Sequence, residues 1–152
     1  MTRKARKIRQ YRRKGKSLIA AGKISPQNWH LTDKEIQQAL KPLGITVKKV
    51  KKIRYLEHQV CISYWNENGN VCSSFFSYRI FAHWQAEVER LISACHSLKE
   101  FYSAIAYIQY DMDYFLYPLE MSEAIAIALE NRECQLRTQS RSSQERSRPW
   151  HC

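Results

Sequence analysis

Asn68-Gly69 stands between two runs rich in Val, Ile, Tyr, Trp and Phe, residues 57–66 and 70–80. Asn-Gly suits the left-handed backbone of a two-residue hairpin turn, and branched and aromatic side chains fill a pleated surface. The pattern predicts an antiparallel hairpin. With Asn68 and Gly69 as the turn, Trp65 lies opposite Cys72 and Cys61 opposite Phe76. One face then carries Val60, Ile62, Tyr64, Val71 and Phe75. The other carries Cys61, Trp65, Cys72, Phe76 and Tyr78. Residues 45–56, with Ile45, Val47, Val50 and Ile53 set among bases, read as a third strand.

Helical periodicity flanks these strands. Thr32-Asp33-Lys34-Glu35 is a capping box, in which the hydroxyl and the carboxylate each satisfy a free amide of the first turn. Leu31, Ile36, Leu40 and Leu43 follow at helical spacing, and Pro42 and Gly44 close the short element. After the hairpin, Phe81, Trp84, Val88, Leu91, Ile92 and Cys95 step by three and four, which defines one buried stripe. Ser97-Leu98-Lys99-Glu100 is a second capping box and starts a new helix. Leu98, Phe101, Tyr102, Ile105, Ile108, Met112, Phe115 and Leu116 form its stripe, and Pro118 ends it. Ser122 caps a last helix to about Gln135, with Met121, Ile125, Ala128 and Leu129 inward.

The expected fold is therefore α+β: a basic N-terminal arm, a short helix, a three-stranded antiparallel meander, and three helices packed on the sheet. The arm is assigned to residues 1–24, flexible or helical on binding. A single domain spans 25–136. Residues 137–152 are polar and of low complexity, and read as a disordered tail.

The formal charge of +11 over 152 residues is unevenly spread. Residues 1–54 hold 17 Lys/Arg against 2 Asp/Glu, residues 55–131 hold 3 against 10, and residues 132–152 hold 5 against 2. A basic front on an acidic body predicts a polyanion-binding arm, or a front that docks on the acidic body of its own or a neighbouring copy. The five cysteines, Cys61, Cys72, Cys95, Cys134 and Cys152, are odd in number and lack CxxC spacing, so neither a disulfide framework nor a zinc site is expected. The basic start lacks an apolar signal core, and no stretch reads as a membrane span. A cytoplasmic location is the default expectation.

Nine of the residues 3–16 are Lys or Arg. Arg3, Lys4, Arg6, Lys7, Arg9, Arg12, Arg13, Lys14 and Lys16 are candidate phosphate ligands, with Tyr11 placed to stack on a base. Lys48, Lys49, Lys51, Lys52 and Arg54 form a second basic run. On a regular strand Lys49 and Lys51 share one side, while Lys48, Lys52 and Arg54 share the other. Such a strand cannot present all five to one row of phosphates; if the segment is helical or bulged, the number facing a ligand changes. Lysines also protect edge strands from aggregation.

Tyr107, Tyr110, Tyr114 and Tyr117 step by three, four and three along the long helix. With Asp111 beside them they form a candidate acidic, tyrosine-rich surface for a protein partner or a second copy. Core burial is the competing reading. Asp111 and Asp113 form a D-x-D pair, but carboxylates two apart on a helix do not face each other. Glu100, Glu120 and Glu123 complete an acidic set only through tertiary placement. His58, His83 and His96 lack partners at ligand spacing. No catalytic residue, metal site or cofactor is expected. The chain reads as a non-enzymatic nucleic-acid-associated accessory protein, with DNA or RNA as the partner. The alternative is a protein-interaction module, a subunit or inhibitor of a larger assembly that binds no nucleic acid itself. A small nuclease or transferase using Asp111 and Asp113 is a third reading.

Overall fold

A computed structural model describes residues 16–147. Among them, helix α1 (Asp33–Leu40) precedes strands β1 (Lys49–Tyr55), β2 (Gln59–Trp65) and β3 (Val71–Ser77). Helices α2 (Ala82–Ser93), α3 (Leu98–Tyr114) and α4 (Leu119–Ser147) follow. The strands pair antiparallel in the order β1-β2-β3, so the expected meander and α+β class are present.

Both capping boxes do their work at the hydroxyl. Thr32 Oγ1 accepts from the Glu35 amide at 3.2 Å, and Ser97 Oγ accepts from the Glu100 amide at 3.2 Å. The Glu100 carboxylate reaches one residue further back than a standard box and accepts from the His96 amide at 2.8 Å. Gly44, at φ 77°, takes the left-handed conformation that closes the turn after α1.

The core lies between the sheet and the helices. Val60, Ile62 and Tyr64 enter it from β2, and Val50, Ile53, Tyr55, Cys72 and Phe76 pack against it from the outer strands. Trp84, Tyr78, Phe81 and Phe101 are its largest fully buried side chains. The stripe from Phe81 to Cys95 is inward as its spacing predicts, as are Met121, Ile125 and Leu129. Helix α2 packs on both α3 and α4, and α3 packs on α4.

Besides the start of the last helix, which is at Leu119 with Ser122 inside its first turn and not at its cap, four expectations require correction. The first is the hairpin register. Trp65 pairs with Val71 and Cys61 with Phe75, one residue away from the expected pairing. The loop has three residues, 67–69, because Asn66 closes it. The Asn66 amide donates to the Asn70 carbonyl at 2.9 Å, while Asn66 Oδ1 accepts from the amides of Asn68 at 3.0 Å and Asn70 at 2.9 Å. Gly69, at φ 76°, supplies the left-handed residue that ends such a loop. A one-residue shift moves a strand's side chains to the opposite face. Val71 and Phe75 therefore point to solvent, and Cys72 and Phe76 take the inward places.

The second is the start of the domain. Leu18 and Ile24 are buried, with Ile19 at the edge of the core. The segment from Ser17 forms a compact turn, held by the Ala21 amide on the Ser17 carbonyl at 2.8 Å and the Lys23 amide on the Leu18 carbonyl at 2.9 Å. Residues 17–24 belong to the domain and not to the arm. The third is the tail. Helix α4 does not stop near Gln135; it runs unbroken to Ser147. No Pro or Gly occurs between 119 and 147, Arg137 pairs with Glu133 one turn back at 2.5 Å, and Leu136 is still buried. The fourth is the end of α3. Phe115 turns extended at φ −124°, ψ 149°, so Leu116 leaves the stripe and is 93% exposed.

Candidate nucleic-acid interface

The pairing of β1 with β2 slips between Val50 and Lys52. This bulge adds one residue to β1 and re-aims everything after it. Lys49 pairs with Trp65, Lys52 with Ser63, and Arg54 with Cys61. On the far side of β2 those three residues pair with Val71, Ser73 and Phe75. The solvent face of the sheet is thus three cross-strand rows, each headed by a base: Lys49–Trp65–Val71, Lys52–Ser63–Ser73 and Arg54–Cys61–Phe75. Lys51, the bulged residue, carries its Nζ to 5.7 Å from the Trp65 ring centroid. The expected split of these bases between two faces is therefore replaced by alignment, with Val50, Ile53 and Tyr55 turned inward. Lys48 lies just before the strand, exposed, with its amide on the Trp65 carbonyl at 2.8 Å.

The face is apolar as well as basic. Phe75 is 59% exposed, Val71 43% and Trp65 37%. Ser63 and Ser73 hydroxyls join across the middle row at 2.7 Å. Glu67, in the turn, is the one charged residue in 60–77. Of the arm residues, Lys16 is described and exposed. Arg3, Lys4, Arg6, Lys7, Arg9, Tyr11, Arg12, Arg13 and Lys14 lie outside the described residues.

Of the expected acidic tyrosine surface, one member, Asp111, is withdrawn into the core. Asp111 is fully buried. Its carboxylate accepts Arg79 Nε at 2.6 Å, Arg79 Nη2 at 2.7 Å, the Leu18 amide at 3.1 Å and the Tyr117 hydroxyl. Trp84 Nε1 donates to the Tyr117 oxygen at 3.0 Å. The Arg79 guanidinium lies 3.6 Å from the Phe115 ring centroid and 4.6 Å from that of Trp84. Burial, followed by the adjacent Asp111 charge, holds the Tyr117 hydroxyl protonated well above its ordinary range. Tyr107 is half-buried beneath Lys23, and Tyr110 and Tyr114 rings meet at 4.4 Å. Of this set, Tyr114 is the residue that is exposed.

This ion pair ties the first turn of the domain to α2, α3 and the connection before α4. It also removes Asp111 from any metal-binding D-x-D pair, because Arg79 already occupies its carboxylate while Asp113 faces outward. Among the described residues no three His, Cys, Asp or Glu side chains are grouped to hold a metal ion. The His83 ring leans on that of Trp29 at 45°, with centroids 4.4 Å apart. The pair had one sequence signal: Arg79 is the lone Lys or Arg between Tyr55 and Trp84, in an aromatic-rich run where an unpaired charge is costly.

Comparison of the chain with protein-family models, with curated proteins and with solved structures finds no match. Among the described residues no helix is long and apolar enough to cross a membrane.

Proposed function

We propose that this chain is a non-enzymatic nucleic-acid-associated accessory protein. Its basic arm, residues 3–16, and the base-lined edge of its sheet hold phosphates. The observation that carries this reading is the β1 bulge, which sets Lys49, Lys52 and Arg54 at the heads of three adjacent rows on one open face. Four cations in one strip, with Lys51 among them, suit a line of phosphates better than cations split between two faces. The arm adds charge of the same sign.

A protein contact by the helical body is a second element of this reading, now placed away from Asp111. Leu116 and Leu119 are 93% and 73% exposed around Pro118, with Tyr114 alongside. Asp113 and Glu120 flank them. That corner supports the alternative, a protein-interaction module without its own nucleic-acid binding.

A salt titration separates the two. Anisotropy is followed with labelled single- and double-stranded DNA and RNA for the full chain, for residues 17–152, and for a variant with Lys49, Lys51, Lys52 and Arg54 changed to Gln. Each phosphate neutralised on a single strand contributes roughly 0.7 to the slope of log affinity against log salt, so the four-Gln variant loses about 3 from that slope. Loss of the arm flattens it further. Absence of binding by the full chain at ~50 mM salt, where phosphate contacts are strong, overturns the proposal and leaves the protein-interaction reading.

A further inference from the structure

We infer that the solvent face of the sheet is a stacking platform for unpaired bases, so that the ligand of this site is single-stranded DNA or RNA. The inference rests on the nucleic-acid reading above and specifies its substrate. A phosphate-binding strip alone needs no aromatic groups beside it. Here Trp65 sits directly beside Lys49, and Phe75 stands in the row that Arg54 heads. Both rings are exposed at positions where a soluble sheet ordinarily carries polar residues, at 37% and 59%.

The spacing shows how a strand lies. Trp65 is level with Val71, four residues along β3 from Phe75. At about 3.3 Å per residue the rings stand about 13 Å apart along the sheet. They are too far apart to clamp one base between them, and so offer two separate stacking points. The bases of β1 run parallel to this line on one side of it. A single strand laid along the sheet places its phosphates over the β1 edge and turns its bases onto β2 and β3. In a duplex the bases are paired and stacked, and their faces cannot reach the rings. The same charge disfavours the identical face of a second copy as the occupant, because the two basic strips repel.

The experiment uses the full chain at one fixed salt concentration. Labelled oligo(dT) and oligo(U) of ~12 nucleotides, within the usual site size, are compared with a duplex of the same length. Variants are Trp65→Ala, Phe75→Ala and Trp65→Phe, each checked for a native melting transition. Phe75, the more exposed ring, keeps the comparison available should Trp65→Ala fail to fold. Each Ala variant is expected to weaken single-strand binding on the order of 10-fold. Its salt slope and its duplex affinity stay unchanged, and Trp65→Phe recovers most of the loss. Relative affinity for oligo(U) and oligo(dT) tells whether the 2′-hydroxyl is used. Folded Ala variants with full single-strand affinity overturn the platform and leave the phosphate reading standing. Equal losses on single strands and duplex overturn it as well. So does a dimer, seen by sedimentation, that these substitutions abolish. Failure of the unsubstituted chain to bind any nucleic acid removes both readings together.

Discussion

Asp111→Ala should be among the most damaging single changes in this domain, and Asp113→Ala, two residues away, should be nearly silent. Asp111 is fully buried and Arg79 is 2% exposed. Removing the carboxylate leaves the guanidinium without a counter-charge and strands the Leu18 amide and the Tyr117 hydroxyl. Breaking a buried pair from one side costs about 3–5 kcal/mol. The total stability of such a domain is about 5–15 kcal/mol, so the variant loses at least about a fifth of it and, at the low end of that range, most of it. In urea, with a slope of about 2 kcal/mol per molar, the midpoint falls by about 2 M. Asp113 is exposed, and its replacement should stay within about 0.5 kcal/mol. The double variant Arg79→Met, Asp111→Leu removes both charges and should lose less than Asp111→Ala alone, because no isolated charge is left. The assay is urea unfolding followed by far-ultraviolet circular dichroism, with equal slopes as the check on two-state behaviour. Unfolding free energies of Asp111→Ala and Asp113→Ala that agree within about 0.5 kcal/mol refute the reasoning.

Leu18→Ala tests whether the segment before Ile24 is core. Its side chain is fully buried, so the loss should be about 2–5 kcal/mol, whereas a flexible arm would show almost none. Alkaline pH tests the buried hydroxyls. Burial pushes Tyr78 up to about 12 from 10.0, and Tyr117 is pushed up from 10.0 by burial and by Asp111. Their contribution to stability is therefore fully present below pH 10.0 and is lost as pH rises through the folded-state values. The urea midpoint should fall between pH 10 and about 12, and less steeply in Tyr117→Phe. Absorbance that reports all nine tyrosines ionised near pH 10.0 in the native chain would contradict this.

Local signals in the sequence carried most of the elements. Thr32 and Ser97 marked helix starts because capping depends on a few neighbouring atoms, and the Phe81 to Cys95 stripe was inward because its period is long enough to be unambiguous. The failures were long-range or combinatorial. The hairpin register depended on the Asn66 side chain closing a three-residue loop, a choice that Asn68-Gly69 alone does not dictate. The β1 bulge lies in a run whose apolar spacing was already partly three and partly two, a pattern that does not reveal where an extra residue is inserted. The rule that residues two apart on a helix face different ways correctly separated Asp111 from Asp113. Which of them turned inward depended on Arg79, 32 residues earlier in the chain. The segment 17–24 was masked by the charge that precedes it, although Leu18 and Ile19 offered apolar surface. Composition alone marks Lys49, Lys52 and Arg54 as candidate phosphate ligands, whereas their alignment with Trp65 and Phe75 follows from the pairing register of three strands.

In the proposed function the open face of the sheet, and not the helical body, meets nucleic acid. Amide chemical-shift mapping of the isotopically labelled full chain, titrated with a short single-stranded oligonucleotide, tests it most directly. The expected result is a contiguous set of shifts at Lys49 to Arg54, Cys61 to Trp65 and Val71 to Phe75, with α2 and the Tyr114 to Leu119 corner unmoved. Shifts confined to that corner, or none in the sheet at saturating ligand, would contradict it.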